Sequence, residues 1–322
     1  MSSMRIIAES VALDDLDRAL VARLRLDGRE SSRSLATALH VNEVTVAGRL
    51  RRMEDSAIMR VVAVTDMRLF GHREFAIALV RVTGRPIHDV AAELAELPET
   101  VSVTICTGRC DIIVPVLGRD RGHIGELFDT VLSGIDGVDD VHGSLALDVL
   151  KYDSAWTLLA ADPGTTPETQ PSDTVDAVDL DIIRMLQLTA RRSNRSIAAE
   201  LGVSEGTVRS RIKRMLAERV FRIQAVSDVV AFGLGAHAFV GIRTNTGTAD
   251  AVAAALAARD DIAQLTRVLG DFDLIAVLVA PDREALVTAI LHEISQLPGV
   301  RNTETFDTCA TLKHTYAWTW VV

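Results

Sequence analysis

Aromatic residues are scarce in this 322-residue chain: eight Phe, three Trp and two Tyr, 4% of the total. Its cores must therefore be aliphatic, within a hydrophobic content of 48% that is ordinary for a soluble globular protein. Cysteine is equally rare. Cys106, Cys110 and Cys309 form no C-x-x-C pair, and an odd count argues against a disulfide framework. Cys106 and Cys110 flank an expected turn between strands, where two small buried side chains is the simpler reading and a redox pair the alternative. No apolar run approaches the roughly 20 residues that a membrane-spanning helix needs, and Leu274–Ala280 is only of strand length. The opening MSSMRIIAESVALDDLD lacks the apolar core of a secretory signal and brings acids early, so the expected location is the cytoplasm. Gly-rich phosphate loops, G-x-S-x-G elbows and His/Cys sets with metal spacing are missing too; no catalytic residue, metal or cofactor is expected.

Excess positive charge is absent as well. The net charge of −10 argues against a uniformly basic coat for nucleic acid. Local distribution matters more than the total. Ser204–Met215 carries Arg209, Arg211, Lys213 and Arg214 against Glu205 alone, and Asn42–Met53 carries Arg49, Arg51 and Arg52 against Glu43.

What the chain does have is a gapless duplication. Adding 162 maps Arg49 onto Arg211, Gly71 onto Gly233, Asp111 onto Asp273 and Trp156 onto Trp318. In that register SLATALHVNEVTVAGRLRRM aligns with SIAAELGVSEGTVRSRIKRM, and GRCDII with GDFDLI. The two halves must share one fold. Between them Asp162–Thr174 holds three of the eight prolines and no basic residue, the composition of an extended tether. Its thirteen residues reach at most about 45 Å.

Periodicity divides each unit. Asp14–Leu26, Ser34–Leu39 and Asn42–Met53 read as helices, then RVVAV and FAIALVRV as strands, Pro86–Leu97 as a helix. VSVTIC and DIIVPVL are strands, His123–Leu132 a helix and Ser144–Tyr152 a last strand. Three helices, a connecting strand and β-α-β-β-α-β define an α+β fold class: two tandem units, each a helix-turn-helix joined to a ferredoxin-like domain. The expected divisions are 11–58, 59–159, a linker at 160–174, 175–220 and 221–322.

A helix-turn-helix places the first residues of its second helix in the DNA major groove. In unit two, Gly202-Val203 supplies the turn, Ser204 caps the second helix, and Val208 and Ile212 point inward. Glu205, Thr207, Arg209 and Arg211 are left outward, with Lys213 and Arg214 further along toward the phosphates. Unit one offers Glu43, Thr45, Arg49, Arg51 and Arg52. It departs by placing His40 at the turn glycine and Gly48 in mid-helix, the latter costing about 1 kcal/mol relative to alanine. Its head is expected to bind DNA more weakly or at a different sequence. The plain alternative is an amphipathic helix with solvated arginines.

These motifs resemble the Lrp/AsnC family of feast/famine regulators over nearly the whole chain, twice. The carriers of the resemblance are SIAAELGVSEGTVRSRIKRM and LGDFDLIAVLVAPD. It implies double-stranded DNA as a partner, a small-molecule effector such as an amino acid, and assembly into homo-oligomers. It also implies that the glycine–aspartate loop between the central strands helps bind the effector: Gly270, Asp271 and Asp273 in unit two, Gly108 and Asp111 in unit one. Glycine lets backbone N–H groups approach a carboxylate, and an aspartate can accept from an ammonium. A plain hairpin turn would use the same aspartates on neighbouring backbone donors. Unit one has Arg109 and Cys110 where unit two has Asp271 and Phe272, so unit two carries the better sensor loop and the pocket of unit one is expected to bind something different, or nothing. The rival is a tandem sirohaem-decarboxylase-like enzyme of the same structural family, for which His237 is the most suggestive residue.

Overall fold

The computed structural model describes residues 13–56, 58–152, 169, 172–227, 234–314 and 318–319. Residues 11 and 12, Trp156, Gly233 and most of the 160–174 stretch lie outside the described residues.

Unit one begins with α1 (Asp15–Leu26), α2 (Ser32–Ala38) and α3 (Glu43–Asp55). Helix α1 starts where it does because of a capping box. Asp14 accepts from the Asp17 N–H at 2.9 Å, and Asp17 accepts in return from the Asp14 N–H. A connecting strand β1 (Met59–Asp66) leads into β2 (Glu74–Val82), α4 (Ile87–Glu96), β3 (Ser102–Thr107), β4 (Ile112–Gly118), α5 (Arg121–Glu126) and β5 (Val138–Tyr152). Unit two repeats this with α6 (Ala177–Leu188), α7 (Asn194–Leu201), α8 (Glu205–Ala217), β6 (Phe221–Ser227), β7 (Ala236–Thr244) and α9 (Ala249–Ala257). Strands β8 (Ile262–Leu269) and β9 (Leu274–Ala280), helix α10 (Arg283–Thr288), and strands β10 (Val300–His314) and β11 (Trp318–Thr319) complete it. The expected α+β order thus holds in both units. Two details differ from the sequence reading. The fifth helix runs on as a π-helical turn through Leu127–Leu132, and the last strand of unit one starts at Val138 rather than Ser144.

The two units close on each other within one chain. Each contributes a four-stranded antiparallel sheet, β3-β4-β2-β5 and β8-β9-β7-β10. Edge β5 pairs with β8 and edge β10 with β3, so the sheets join at both edges into a closed eight-stranded barrel. Closure removes both exposed edges that either sheet alone would present to other chains. Alternation then sorts the side chains. Inward-facing Phe75, Ile77, Ile113, Phe239, Val268, Ile275 and Phe306 form one shared interior. The opposite faces carry the helices: α4 and α5 cover Ala76, Ala78 and Val114, while α9 and α10 cover Ala238, Val240 and Ala276. Fully burying a side chain such as Phe75 or Phe306 contributes about 1.5–3 kcal/mol.

The heads are joined as well. Strand β1 pairs antiparallel with β6 from Met59↔Ser227 to Thr65↔Phe221, and β11 adds in parallel beside Thr65 and Asp66. Leu20, Leu24, Val46 and Met53 of the first head share one core with Ile182, Leu186, Val208 and Met215 of the second. The units are therefore paired inside one chain, through the barrel and through the β1–β6 ribbon.

Candidate functional site

Helices α3 and α8 are the second helices of the two helix-turn-helix motifs, and their local chemistry explains how they are held. Asn42 caps α3 by accepting from the Val44 N–H at 2.8 Å, and Ser204 caps α8 from the Thr207 N–H at 3.0 Å. Val208 and Ile212 are buried, as their spacing predicts, and Val46 and Leu50 take the same places in unit one. The turn before α8 uses Gly202 at φ +66°, and His40 adopts φ +54° at the equivalent place. The turn geometry is thus kept in unit one with a side chain in the left-handed region, a strained choice for an L-residue.

The basic residues divide into two groups. Arg211 donates to Asp176 at 2.7 Å and to Asp179 at 2.9 Å, and Arg214 pairs with Asp179 and donates to Thr174. In unit one Arg49 and Arg52 pair with Asp14 and Asp17 in the same way. These four arginines tie α3 and α8 to the capping boxes of α1 and α6, and Asp17 and Asp179 are fully buried beneath them. Arg49 holds the Asp14 carboxyl below the usual carboxylate range, and Arg211 does the same to Asp176. Arg51 and Lys213, equivalent to each other, are exposed. Arg209 is exposed too, paired with Glu205 at 2.8 Å one turn back, while Thr207 shares a 2.8 Å hydrogen bond with Ser204. Of the residues expected on the outward face, Glu205, Arg209 and Lys213, with Glu43, Thr45 and Arg51, lie open. Arg211, Arg214 and Arg49 are turned partly inward as clamps, and Arg52 is exposed while paired with Asp17. Spacing alone could not separate the groups, because the partner acids lie 32 to 35 residues upstream.

The glycine–aspartate loops meet between the units. Gly108 lies against the Thr305 carbonyl and Phe306, and Gly270 against Gly143 and Ser144, an arrangement that repeats with the 162-residue shift. A Cβ at Gly270 would stand 2.6 Å from the Ser144 hydroxyl, so glycine is required for the approach. At the centre Arg109 donates to Asp271 at 2.6 Å and to Glu304 at 2.9 Å. Arg109 holds the Asp271 carboxyl below its usual range. Asp111 and Asp273 instead serve their own hairpins: Asp111 accepts from the Val82 N–H at 2.9 Å, Asp273 from the Thr244 N–H at 2.7 Å.

Beside the first loop lies a cleft of about 270 Å³, floored by Leu79 and Cys110 and rimmed by Arg81, Arg109, Asp140 and His142. Arg81 donates to the Arg109 carbonyl at 2.9 Å, and His142 pairs with Asp140 at 2.7 Å. In unit two the ring of Phe272 occupies the corresponding place over Gly241. Unit two is the sensor expected from the sequence, whereas the open cleft stands in unit one. Arg81, Asp140 and His142 escaped the sequence reading because they reach the loop from β2 and β5; the Cys110/Phe272 exchange was the available signal. Next to the cleft the Cys106 and Cys110 sulfurs lie 3.6 Å apart, both buried, and their mutual hydrogen bond and burial push the Cys106 thiol up.

Paired helix-turn-helix heads on a barrel of ferredoxin-like sheets define the class: a DNA-binding chain with built-in ligand domains. The AsnC-type helix-turn-helix domain matches residues 13–54 and 175–216, and the Lrp/AsnC ligand binding domain matches 76–156 and 237–318. The chain belongs to the Lrp/AsnC family, as an internally duplicated DNA-binding transcriptional regulator with two ligand-binding domains. The HTH-type transcriptional regulator FL11 of Pyrococcus furiosus is 29% identical over 140 residues, which span 43% of this chain and 92% of that protein. The HTH-type transcriptional regulator Ptr1 of Methanocaldococcus jannaschii is 31% identical over 127 residues, 39% of this chain and 86% of its own length. Each is thus about one unit long. The crystal structure of the siroheme decarboxylase NirDL shares the fold across both units, with a TM-score of 0.62 at 14% identity, covering 94% of this chain and 93% of that one.

Proposed function

We propose that the chain reads a specific two-part operator through α3 and α8, and that a small-molecule effector, an amino acid or related metabolite, changes that binding. The observation that carries the reading is the pairing of both heads by the β1–β6 ribbon, with Glu205, Arg209 and Lys213 open on one reading helix and Glu43, Thr45 and Arg51 on the other. Residues 11–58 and 175–220 act as the heads, and 59–159 and 221–322 as the effector and assembly domains, in the cytoplasm. Further association of chains into a homo-oligomer is part of the same reading. The test is binding of the purified chain to DNA from its own promoter region across a salt series. Affinity falls steeply with salt, and Lys213→Ala lowers the salt slope by about 1 by removing a phosphate contact. An unchanged slope in Lys213→Ala together with Arg51→Ala removes α3 and α8 as readers.

The fold shared along the whole chain with a siroheme decarboxylase supports a second reading, a tetrapyrrole-binding enzyme with the heads as architecture. Its signature is a visible absorbance change on adding sirohaem. The 270 Å³ cleft supports the first reading, since it has room for a small metabolite.

A further inference from the structure

We infer that each chain holds one effector site, the cleft in unit one, built for a free amino acid, and that Phe272 fills the equivalent place in unit two. The inference rests on the effector reading above and specifies where, how often and to what the chain binds.

Two exchanges between the units decide the space. Unit one has Leu79 and Cys110; unit two has Gly241 and Phe272. A Cβ at Gly241 would lie 2.5 Å from the Phe272 ring, so the glycine and the ring belong together as a plug and its seat. The ring is held on several sides. It meets Phe306 edge to face at 6.2 Å, with the guanidinium groups of Arg109 and Arg243 at 5.7 and 5.8 Å from its centre. It is 4% exposed and packed like any core residue. In unit one Leu79 and Cys110, 6% and 4% exposed, take the places of Gly241 and Phe272 and lie at the base of the cleft.

The charges of the open cleft define its ligand. Two cations, Arg81 and Arg109, and two carboxylates, Asp139 and Asp140, line the cleft together with the apolar Leu79 and Cys110, and Arg109 is already paired with Asp271 and Glu304. A zwitterion suits that mixed lining: its carboxylate toward Arg81, its ammonium toward the aspartates, its side chain on Leu79 and Cys110. A cleft of about 270 Å³ has room for a ligand of amino-acid size. Unit two has lost the polarity along with the space. The shift places Asp271 at Arg109, Arg301 at Asp139, Asn302 at Asp140 and Glu304 at His142. Bound ligand would also lie beside Arg109, the residue that joins the two loops through Asp271 and Glu304.

The test uses the full chain. The twenty amino acids are screened by thermal shift, since a ligand of the native state raises apparent stability. Calorimetric titration of each hit then gives the stoichiometry for wild type and variants. One ligand binds per chain. Leu79→Gly/Cys110→Phe, which copies the plug and its seat into unit one, abolishes binding. Because a ring placed in the barrel wall can unfold the chain, Asp140→Asn at an exposed position gives an independent reading, weakening binding about tenfold. Two ligands per chain, or wild-type affinity in Asp140→Asn and in a folded plug variant, overturns the single site while leaving the effector reading intact. No binding by any of the twenty overturns the amino-acid effector reading, and this site with it.

Discussion

Replacing Arg211 and Arg214 together by alanine isolates the clamp that holds the second reading helix. The Asp179 side chain is 0% exposed, and its two arginine partners are 26% and 33% exposed. One carboxylate oxygen accepts from Arg211 at 2.9 Å; the other takes Arg214 and the Asp176 N–H at 3.2 Å. Removing one partner of a fully buried pair costs about 3–5 kcal/mol, because the remaining charge is stranded. Here each single variant leaves a second arginine in place, and water reaches both guanidinium groups. Arg211→Ala or Arg214→Ala alone should therefore cost about 1–2 kcal/mol, and the double variant about 3 kcal/mol or more. Urea titration followed by helical circular dichroism measures the loss. Adding Asp179→Leu to the double variant removes the stranded charge and should recover much of it. A double variant within about 0.5 kcal/mol of wild type would refute the clamp, since that is the scatter of neutral surface changes. Loss of DNA binding in Arg211→Ala thus reports a loosened head, whereas Lys213→Ala reports a lost contact.

Turn chemistry predicts an asymmetry between the heads: His40→Gly relieves the left-handed backbone and raises stability by up to about 1 kcal/mol, whereas Gly202→Ala lowers it by about 1–2 kcal/mol, both read by urea titration. Between the loops, Arg109→Asp faces Asp271 and Glu304 with a like charge. Both members of the Arg109–Asp271 pair are near 40% exposed, so the cost is below about 1 kcal/mol, and Arg109→Asp/Asp271→Arg recovers part of it in a double-mutant cycle. Additive losses would mean the pair is uncoupled. With pH, Asp14, Asp176 and Asp271 have folded pKa values below their unfolded value of about 3.8. Their contribution is fully present above that value and is lost as pH falls through the folded values. Urea midpoints should therefore drop below about pH 4, and less so in Arg49→Ala/Arg211→Ala; an equal drop in both proteins contradicts the assignment.

The repeat, the first helix start at Asp14 and the β-α-β-β-α-β order were legible because each rests on local pattern. Asp14 and Asp176 start helices whatever lies elsewhere, and Val208 and Ile212 recur at one-turn spacing. Barrel closure was not legible. Pairing of β5 with β8 and of β10 with β3 joins segments more than a hundred residues apart, and either unit could equally have met its like in another chain. The site divided along the same line. Gly108, Arg109, Gly270 and Asp271 do come together, but Asp111 and Asp273 serve their own hairpins. The exchange of Cys110 for Phe272 was visible as lost aromatic character. That the ring lies over Gly241 requires knowing which strand it faces, and β7 supplies that glycine thirty-one residues upstream.

Hydroxyl-radical footprinting of the full chain on DNA selected by the protein itself tests the central claim most directly. Two heads fixed in one chain should protect two half-sites about one helical turn, roughly 34 Å, apart. Arg51→Ala should weaken protection at one half-site and Lys213→Ala at the other. Absence of any footprint, or equal loss at both half-sites from either substitution, would contradict a single chain acting as a paired, two-headed regulator.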